Sequence, residues 1–409
     1  MTITSQTPNK AKEQVEEYRL TIQKLASEGS SEKLQEYANE YVQKYSLLIT
    51  HKAESLATNK YPSQVTKGGT NSDEFSKQQG KHTAPELHKI IIDIEYLSKI
   101  IALSKHKSSL ETFLAIREIV RHVFDITDKK AILRAFLQSQ TPDDSLKLIN
   151  HLIKENKLDT ATNALVYLLF KGVNPEKLTK YNITYRDFLK KHSIDTKIDS
   201  LNTFKFEKGL NPGKVGPWSQ SIGLIPKVRQ NEIITEVPLN KELTTPEIKL
   251  TLQQKSAPNH TNVLFESSLT TSNGWAEEYV GEYSLDIPIE NVITTIFKKA
   301  KPDIAIPEKI KCITANNALY ELLSPAIYGT VYARGADFAL GRARVINFIE
   351  EIIEYNNQST FEKTIREDLV FFNTGEYDWF DEHSIDRIAM IICNRRTQKY
   401  WFILFQDVD

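Results

Sequence analysis

The stretch RIAMIICNRRTQKYWFILF, Arg387 to Phe405, sets two nearly continuous apolar runs on either side of the polar joint NRRTQK. Apolar runs of this length, rich in isoleucine and aromatic residues and separated by a short polar segment, read as two buried strands joined as a hairpin.

Working back from the hairpin, further β-like runs occur at Glu232 to Val237, Thr261 to Phe265, Val280 to Ile287 and Asp368 to Phe372. One helix-like insert, residues 342–357, carries Val345, Ile346, Ile349, Ile352 and Ile353 on a single face. Before these runs, GLNPGKVGPWSQSIGLIPKV collects glycines and prolines and favours turns over helix. The character of the chain therefore changes near Asp199, and residues 199–409 read as an α+β domain with a small mixed or antiparallel sheet.

Upstream the period is helical. Leu87, Ile90, Ile91, Ile94, Leu97, Ile100 and Ile101 recur at three and four residues, and Thr141-Pro142 with Asp144 opens another helix. Ser108 with Glu111 makes a capping box, and Gly172 stops the helix that runs through Leu165 and Leu169. Residues 85–198 are expected to be all-α. Residues 60–84, poor in apolar side chains and rich in Gly, Ser, Lys and Asn, read as a flexible linker, and residues 1–59 as charged helices. The fold class is thus α+β, with a helical N-terminal half followed by an α+β domain.

Composition narrows the function classes. The chain has 409 residues, 40% apolar and 26% charged, which suits folded domains rather than disorder. Fifty-two basic side chains against 53 acidic give a formal charge of −1, so no global field draws the chain to nucleic acid or anionic lipid. No apolar run is long enough for a membrane span, and Met1 to Glu40 lacks a continuous apolar segment of the signal-peptide kind. Only two cysteines, Cys312 and Cys393, exclude a disulfide framework and a clustered zinc site; each sits among apolar residues, as a buried thiol of a reducing compartment would.

The candidate chemistry lies between Asn262 and Pro288. Ser267 to Ser272 place hydroxyls at nearly every position after Phe265, and they read either as a capped turn, with Ser272 or Asn273 starting a helix through GWAEEY, or as the polar wall of a cleft. His383 beside Asp381, Glu382 and Asp386 reads as a solvated acidic loop, as a base or as a metal ligand. YARGADFALGRAR, with Arg334, Arg342 and Arg344, offers cations that suit phosphate.

Phe265-Glu266-Ser267-Ser268-Leu269, followed by TTSNGWAEEYV and VGEYSLDIP, resembles the aromatic-x-Ser-Thr-Ser strand, helix and strand of mono-ADP-ribosyltransferase toxins. Leu269 departs from the last serine of that motif. The resemblance implies transfer of ADP-ribose from NAD to a macromolecular target, with NAD as substrate and no metal. It implies that Arg229 holds the dinucleotide phosphates, that Ser267 and Ser268 orient neighbouring groups, and that Trp275 or Tyr279 flanks the nicotinamide. It further implies that Glu376, followed by Ile385 and Ile388, stabilises charge on the ribose. Glu308 or Asp303, in KPDIAIPEKI, is the alternative carboxylate, and Thr374 stands where many protein-modifying members carry Glu or Gln. The setting implied is a bacterial toxin or effector acting in a reducing cytosol on a protein target. The rival readings are a non-catalytic protein-binding protein and another nucleotide-using transferase, with the arginines near Arg334 on phosphate.

Overall fold

The computed structural model describes residues 109–120, 125–202, 204, 207, 233–239, 249–253, 260–271, 274–303, 305–328, 337–355, 361–374 and 386–407, with helical Lys33 and Glu36 upstream. The linker expected at 60–84, the helices expected over 85–108 and the rest of 1–59 lie outside the described residues. The chain divides into two compact units, Met1–Leu152 with Lys214–Leu224, and Ile153–Gly213 with Ile225–Asp409.

In the first unit, α1 (Ser109–Val120) and α2 (Lys130–Ser139) are joined by a short 3-10 turn, and α3 (Pro142–Lys154) runs over the division. Phe113 and Phe136, both fully buried, meet with ring centroids 4.7 Å apart. Asp125 accepts from the Arg117 guanidinium (2.5 Å) and from the Thr127 backbone amide (2.8 Å), so one carboxylate ends α1 and caps the turn. The Thr141 hydroxyl accepts the Asp144 amide at 3.1 Å, the cap expected from Thr-Pro-x-Asp.

The second unit opens with α4 (Leu158–Phe170), the short α5 (Pro175–Leu178) and α6 (Asn182–Lys191). Gly172 ends α4 at φ +86, its amide bonding to Leu169 O while that of Val173 reaches Leu168 O, a paired closure that needs a residue without Cβ. The strands follow: β1 (Ile233–Pro238), β2 (Lys249–Gln253), β3 (Trp275–Glu282), β4 (Lys309–Ile313), β5 (Leu369–Asn373), β6 (Asp386–Asn394) and β7 (Lys399–Asp407). They form one antiparallel sheet of order β1-β4-β5-β6-β7-β3-β2. The hairpin RIAMIIC/YWFILF is β6–β7, at the middle of the sheet, and its turn is closed by the Asn394 side chain, which accepts the amides of Arg396 (2.9 Å) and Thr397 (3.0 Å).

One sheet face is covered by α9 (Ile289–Ala300), whose Val292, Ile293, Ile296 and Phe297 are buried against Tyr279, Phe372, Ile391, Cys393, Phe402 and Leu404. The other face takes α7 (His260–Leu264) and α10 (Ala315–Tyr328), with α11 (Phe338–Ile352) behind them; α8 (Glu266–Thr271) follows α7, and α12 (Phe361–Asp368) leads into β5. Helix α11 is apolar on nearly every side because it lies between α10, α7 and α4. Gly341 permits this: a Cβ there would stand 2.6 Å from the Ala326 carbonyl oxygen of α10.

Several expectations are corrected. Residues 261–265 are helix α7, not a strand, because the buried Glu278 carboxylate of β3 accepts both the Thr261 amide and the Thr261 hydroxyl at 2.9 Å and so caps α7. GWAEEY is the start of β3 rather than of a helix, and the strand read at 280–287 lies earlier, at 275–282, with a turn at Ser284 to Ile287. The helical insert begins earlier than residue 342, at Phe338, and helices α9 and α10 join it.

The division expected at residue 198 falls inside the second unit. There Arg342 of α11, fully buried, donates to the Glu207 carboxylate (2.5 Å), to the Tyr185 hydroxyl of α6 (3.1 Å) and to the Asn202 carbonyl (2.8 Å). A guanidinium removed from water requires this many acceptors, and they come from both sides of the expected boundary. Among the described residues no helix is long and apolar enough to cross a membrane.

Candidate functional site

Antiparallel pairing fixes which residues share an end of the sheet. Pro238 pairs with Lys309, Lys311 with Asn373, Asn373 with Met390, Asp386 with Asp407, and Gln406 with Trp275. One end therefore collects the start of β4, the close of β5, the start of β6, the close of β7 and the start of β3. Helix α8 leads into this end of β3, and β5 closes and β6 begins there.

On the face covered by α10, the Asn373 side chain donates to both oxygens of Glu321, at 3.0 and 2.9 Å. Glu321 sits on α10, mostly removed from water. Burial pushes its carboxyl up to about 7, against the opposing pull of the Asn373 amide and of the Lys311 ammonium. Lys311, paired directly across from Asn373, projects from the same face and is exposed, as is Lys309, which bonds Glu236 at 2.6 Å. The result is a carboxyl fixed on one side by an amide and flanked on the other by an open, cationic corner of the sheet.

On the α9 face, half-buried Trp275 has the Lys301 ammonium 5.5 Å from its ring centroid, and Lys301 pairs with Glu277 at 2.6 Å. The Tyr279 hydroxyl lies between Glu277 Oε2 (2.8 Å) and the Ala300 carbonyl (3.1 Å), and its ring stacks on Phe402 at 5.9 Å. Burial, with Glu277 adding to it, raises the Tyr279 phenol above its ordinary range.

Against this geometry the sequence-derived site residues separate. Ser267 and Ser268 lie on the helical backbone of α8, not on a strand, because α7 is capped by Glu278 and Phe265 stacks on Phe405 at 4.2 Å, turning the chain into a second helix. Glu266, between them and Phe265, is ion-paired with Arg344. Trp275 is at the sheet end. Tyr279 is part of the core under α9, which removes it as a flank for a nicotinamide ring. Arg229 and Glu376 lie outside the described residues. The strand after Arg229 starts at Ile233, paired with Ile313 at the opposite end of the sheet. The strand before Glu376 closes at Asn373, after which Thr374 is buried and bonded to the Ala389 carbonyl. Glu308 is exposed at the start of β4, its carbonyl accepting from Leu239.

Of the three arginines read as phosphate contacts, Arg342 is paired with Glu207 and Arg344 with Glu266, and Arg334 lies outside the described residues. Both cysteines are buried and free, and burial pushes the Cys393 thiol up to about 12, so it is not an activated nucleophile. Among the described residues no group of His, Cys, Asp and Glu side chains forms a metal site. Glu321 and Asn373 were not visible in the sequence: the only local signal is a single acidic residue inside the apolar pattern ALYELLSPAIY, and its partner lies on another element.

Comparison of the chain with protein families, with curated proteins and with solved structures finds no match in any of the three.

Proposed function

We propose that the second unit is a transferase that moves ADP-ribose from NAD to a macromolecular target, with its chemistry at the end of the sheet where β3 begins and β5 closes. One observation carries the reading: the helix bearing Ser267 and Ser268, the Trp275 end of β3, and the β5 end from which the chain runs to Glu376 all belong to that same end. A nucleophile attacking the anomeric carbon of the nicotinamide ribose displaces neutral nicotinamide through a cationic transition state, which a carboxylate stabilises; Glu376 has that role. Trp275 offers the remaining aromatic surface for the leaving ring. The phosphates need cations, and Lys309 and Lys311 supply them at this end, where Arg229 was expected.

The N-terminal half, expected from its sequence to be helical, belongs to the same proposal as a region for targeting or recognition. So does action in a reducing cytosol, which suits two free buried thiols.

Full-length protein incubated with NAD is expected to release nicotinamide and to label a protein in a cell lysate. Glu376→Ala is expected to lower both by roughly 10²-fold or more with an unchanged circular dichroism spectrum. Calorimetry showing no NAD binding at millimolar concentration removes the reading. The protein-binding alternative then leads, favoured by Ile234, 64% exposed on β1 at the edge of the sheet order.

A further inference from the structure

We propose that Arg387, Gln406 and Trp275, side by side on the α9 face of the sheet, form a subsite for a nucleoside monophosphate, with the base of the ligand against Trp275 and its phosphate on Arg387. The subsite goes beyond the transferase reading and does not depend on the transfer chemistry.

Register places the three residues in one row. Arg387 of β6 pairs with Gln406 of β7, and Gln406 pairs with Trp275 of β3. The row shares a face with the core under α9, because side chains alternate along a strand and the core residues Ala389, Leu404 and Tyr279 stand an even number of positions from Arg387, Gln406 and Trp275. Neighbouring strands lie about 4.8 Å apart, so the two ends of the row are about 10 Å apart, a span that a base, its ribose and one phosphate cover.

Helix α9 stops short of this row. Its last residue is Ala300, whose carbonyl accepts from the Tyr279 hydroxyl, and Tyr279 lies further along β3 than Trp275, which begins the strand. Trp275 and Arg387 are accordingly half-buried, and Gln406 between them is buried.

The two ends of the row differ in chemistry. At the β3 end, Trp275 packs against the core, and the Lys301 ammonium, 5.5 Å from its ring centroid, is held by Glu277 at 2.6 Å. That ion pair carries no net charge and steadies the indole, so this end offers an aromatic surface. At the β6 end, Arg387 offers a planar guanidinium, which suits two phosphate oxygens at once, and Gln406 brings an amide beside it. An anion is better placed there than beside Lys301, where the end of α9 carries the negative pole of the helix. A flat ring joined to one phosphate matches both ends, whereas a ring or a phosphate alone matches one.

The test uses the full chain with adenosine monophosphate, adenosine and ribose 5-phosphate, followed by calorimetry and by the indole N–H resonance of Trp275, assigned by its loss in Trp275→Phe. Adenosine monophosphate is expected to bind and to shift that resonance, and each of the other two to bind about tenfold more weakly or worse. Arg387→Gln should weaken adenosine monophosphate by about tenfold or more and leave adenosine unchanged. Trp275→Leu should weaken adenosine monophosphate and adenosine and leave ribose 5-phosphate unchanged, a division of effects that damage to the fold would not produce. No binding of adenosine monophosphate at millimolar concentration, binding that leaves the Trp275 resonance unmoved, or equal affinity in the wild type and Arg387→Gln overturns the subsite. Adenosine monophosphate bound in this pattern by a protein that releases no nicotinamide from NAD supports the subsite and removes the transferase reading alone.

Discussion

At the scale of single residues, the fully buried Glu207 and the half-buried Glu321 of the second unit meet different partners. Glu207 is matched by a full guanidinium, whereas Glu321 has only a neutral amide and a more distant ammonium. The consequence for Glu321 has a definite sign. Its pKa is raised in the folded state, so the folded chain keeps this proton after the unfolded chain has lost it. Stability from this group is therefore greatest below about pH 4.5, declines as pH rises to about 7, and is level above. Glutamine does not titrate. Glu321→Gln is expected to match the wild type near pH 4.5 and to be more stable at pH 8, by up to about 3 kcal/mol for a shift of this size. Denaturant melts across that range check it, and parallel curves for the two proteins would contradict the burial of this carboxyl. Arg342 predicts the opposite behaviour. Arg342→Met strands Glu207, Tyr185 and the Asn202 carbonyl without their donor and is expected to cost about 3–5 kcal/mol, measured by the same melts.

Elements differ in how far their own residues decide them. The β6–β7 hairpin was legible because both of its faces are buried, so Ile388 to Cys393 and Tyr400 to Phe405 are apolar throughout and no partner has to be known. Helix α11 was legible for a related reason, its isoleucines repeating at helical spacing. Helix α7 was not: the run HTNVLF is short and mostly apolar at its end, and what makes it helical is a carboxylate on β3, a different element. The same holds for the Glu321–Asn373 pair, where residues 52 apart in the chain meet across an α10–β5 contact. Local pattern shows which faces are apolar; it does not show which polar group on another element will satisfy an end. That dependence is measurable. Glu278→Ala leaves the Thr261 amide and hydroxyl without the acceptor that caps α7, and is expected to cost about 1–3 kcal/mol. Because α7 leads through Phe265 into α8, hydrogen exchange should accelerate over residues 261–271 before it does in β6 and β7. Equal protection of α7 in the variant and the wild type would show that the stacking of Phe265 on Phe405 suffices alone.

For the molecule as a whole, the question is where a self-sufficient folding unit begins. From the sequence the change of character at Asp199 gave a domain of 199–409, since its apolar runs pair among themselves. The sheet does close on itself, but α11 does not. Its far side packs on α4, the Asn163 side chain of α4 accepts the Ala339 amide at the start of α11 (2.9 Å), and Tyr167 and Phe170 meet Phe338 edge-on at 5.3 and 6.0 Å. Cutting at 198 exposes that apolar side and takes Tyr185 from the buried Arg342. Both losses fall on the helix that supports α10, and α10 carries Glu321, so an error in the boundary would reach the candidate site. A fragment of residues 153–409 is expected to be soluble and to unfold in a single cooperative transition. A fragment of residues 199–409 is expected to aggregate or to lose near-ultraviolet dichroism while keeping strand signal, because the sheet persists without fixed packing on its α10 face. Cooperative unfolding of the shorter fragment with native near-ultraviolet signal would show that α4 to α6 are an accessory layer, and that the sheet with α9 and α10 is enough to hold the Glu321–Asn373 pair together.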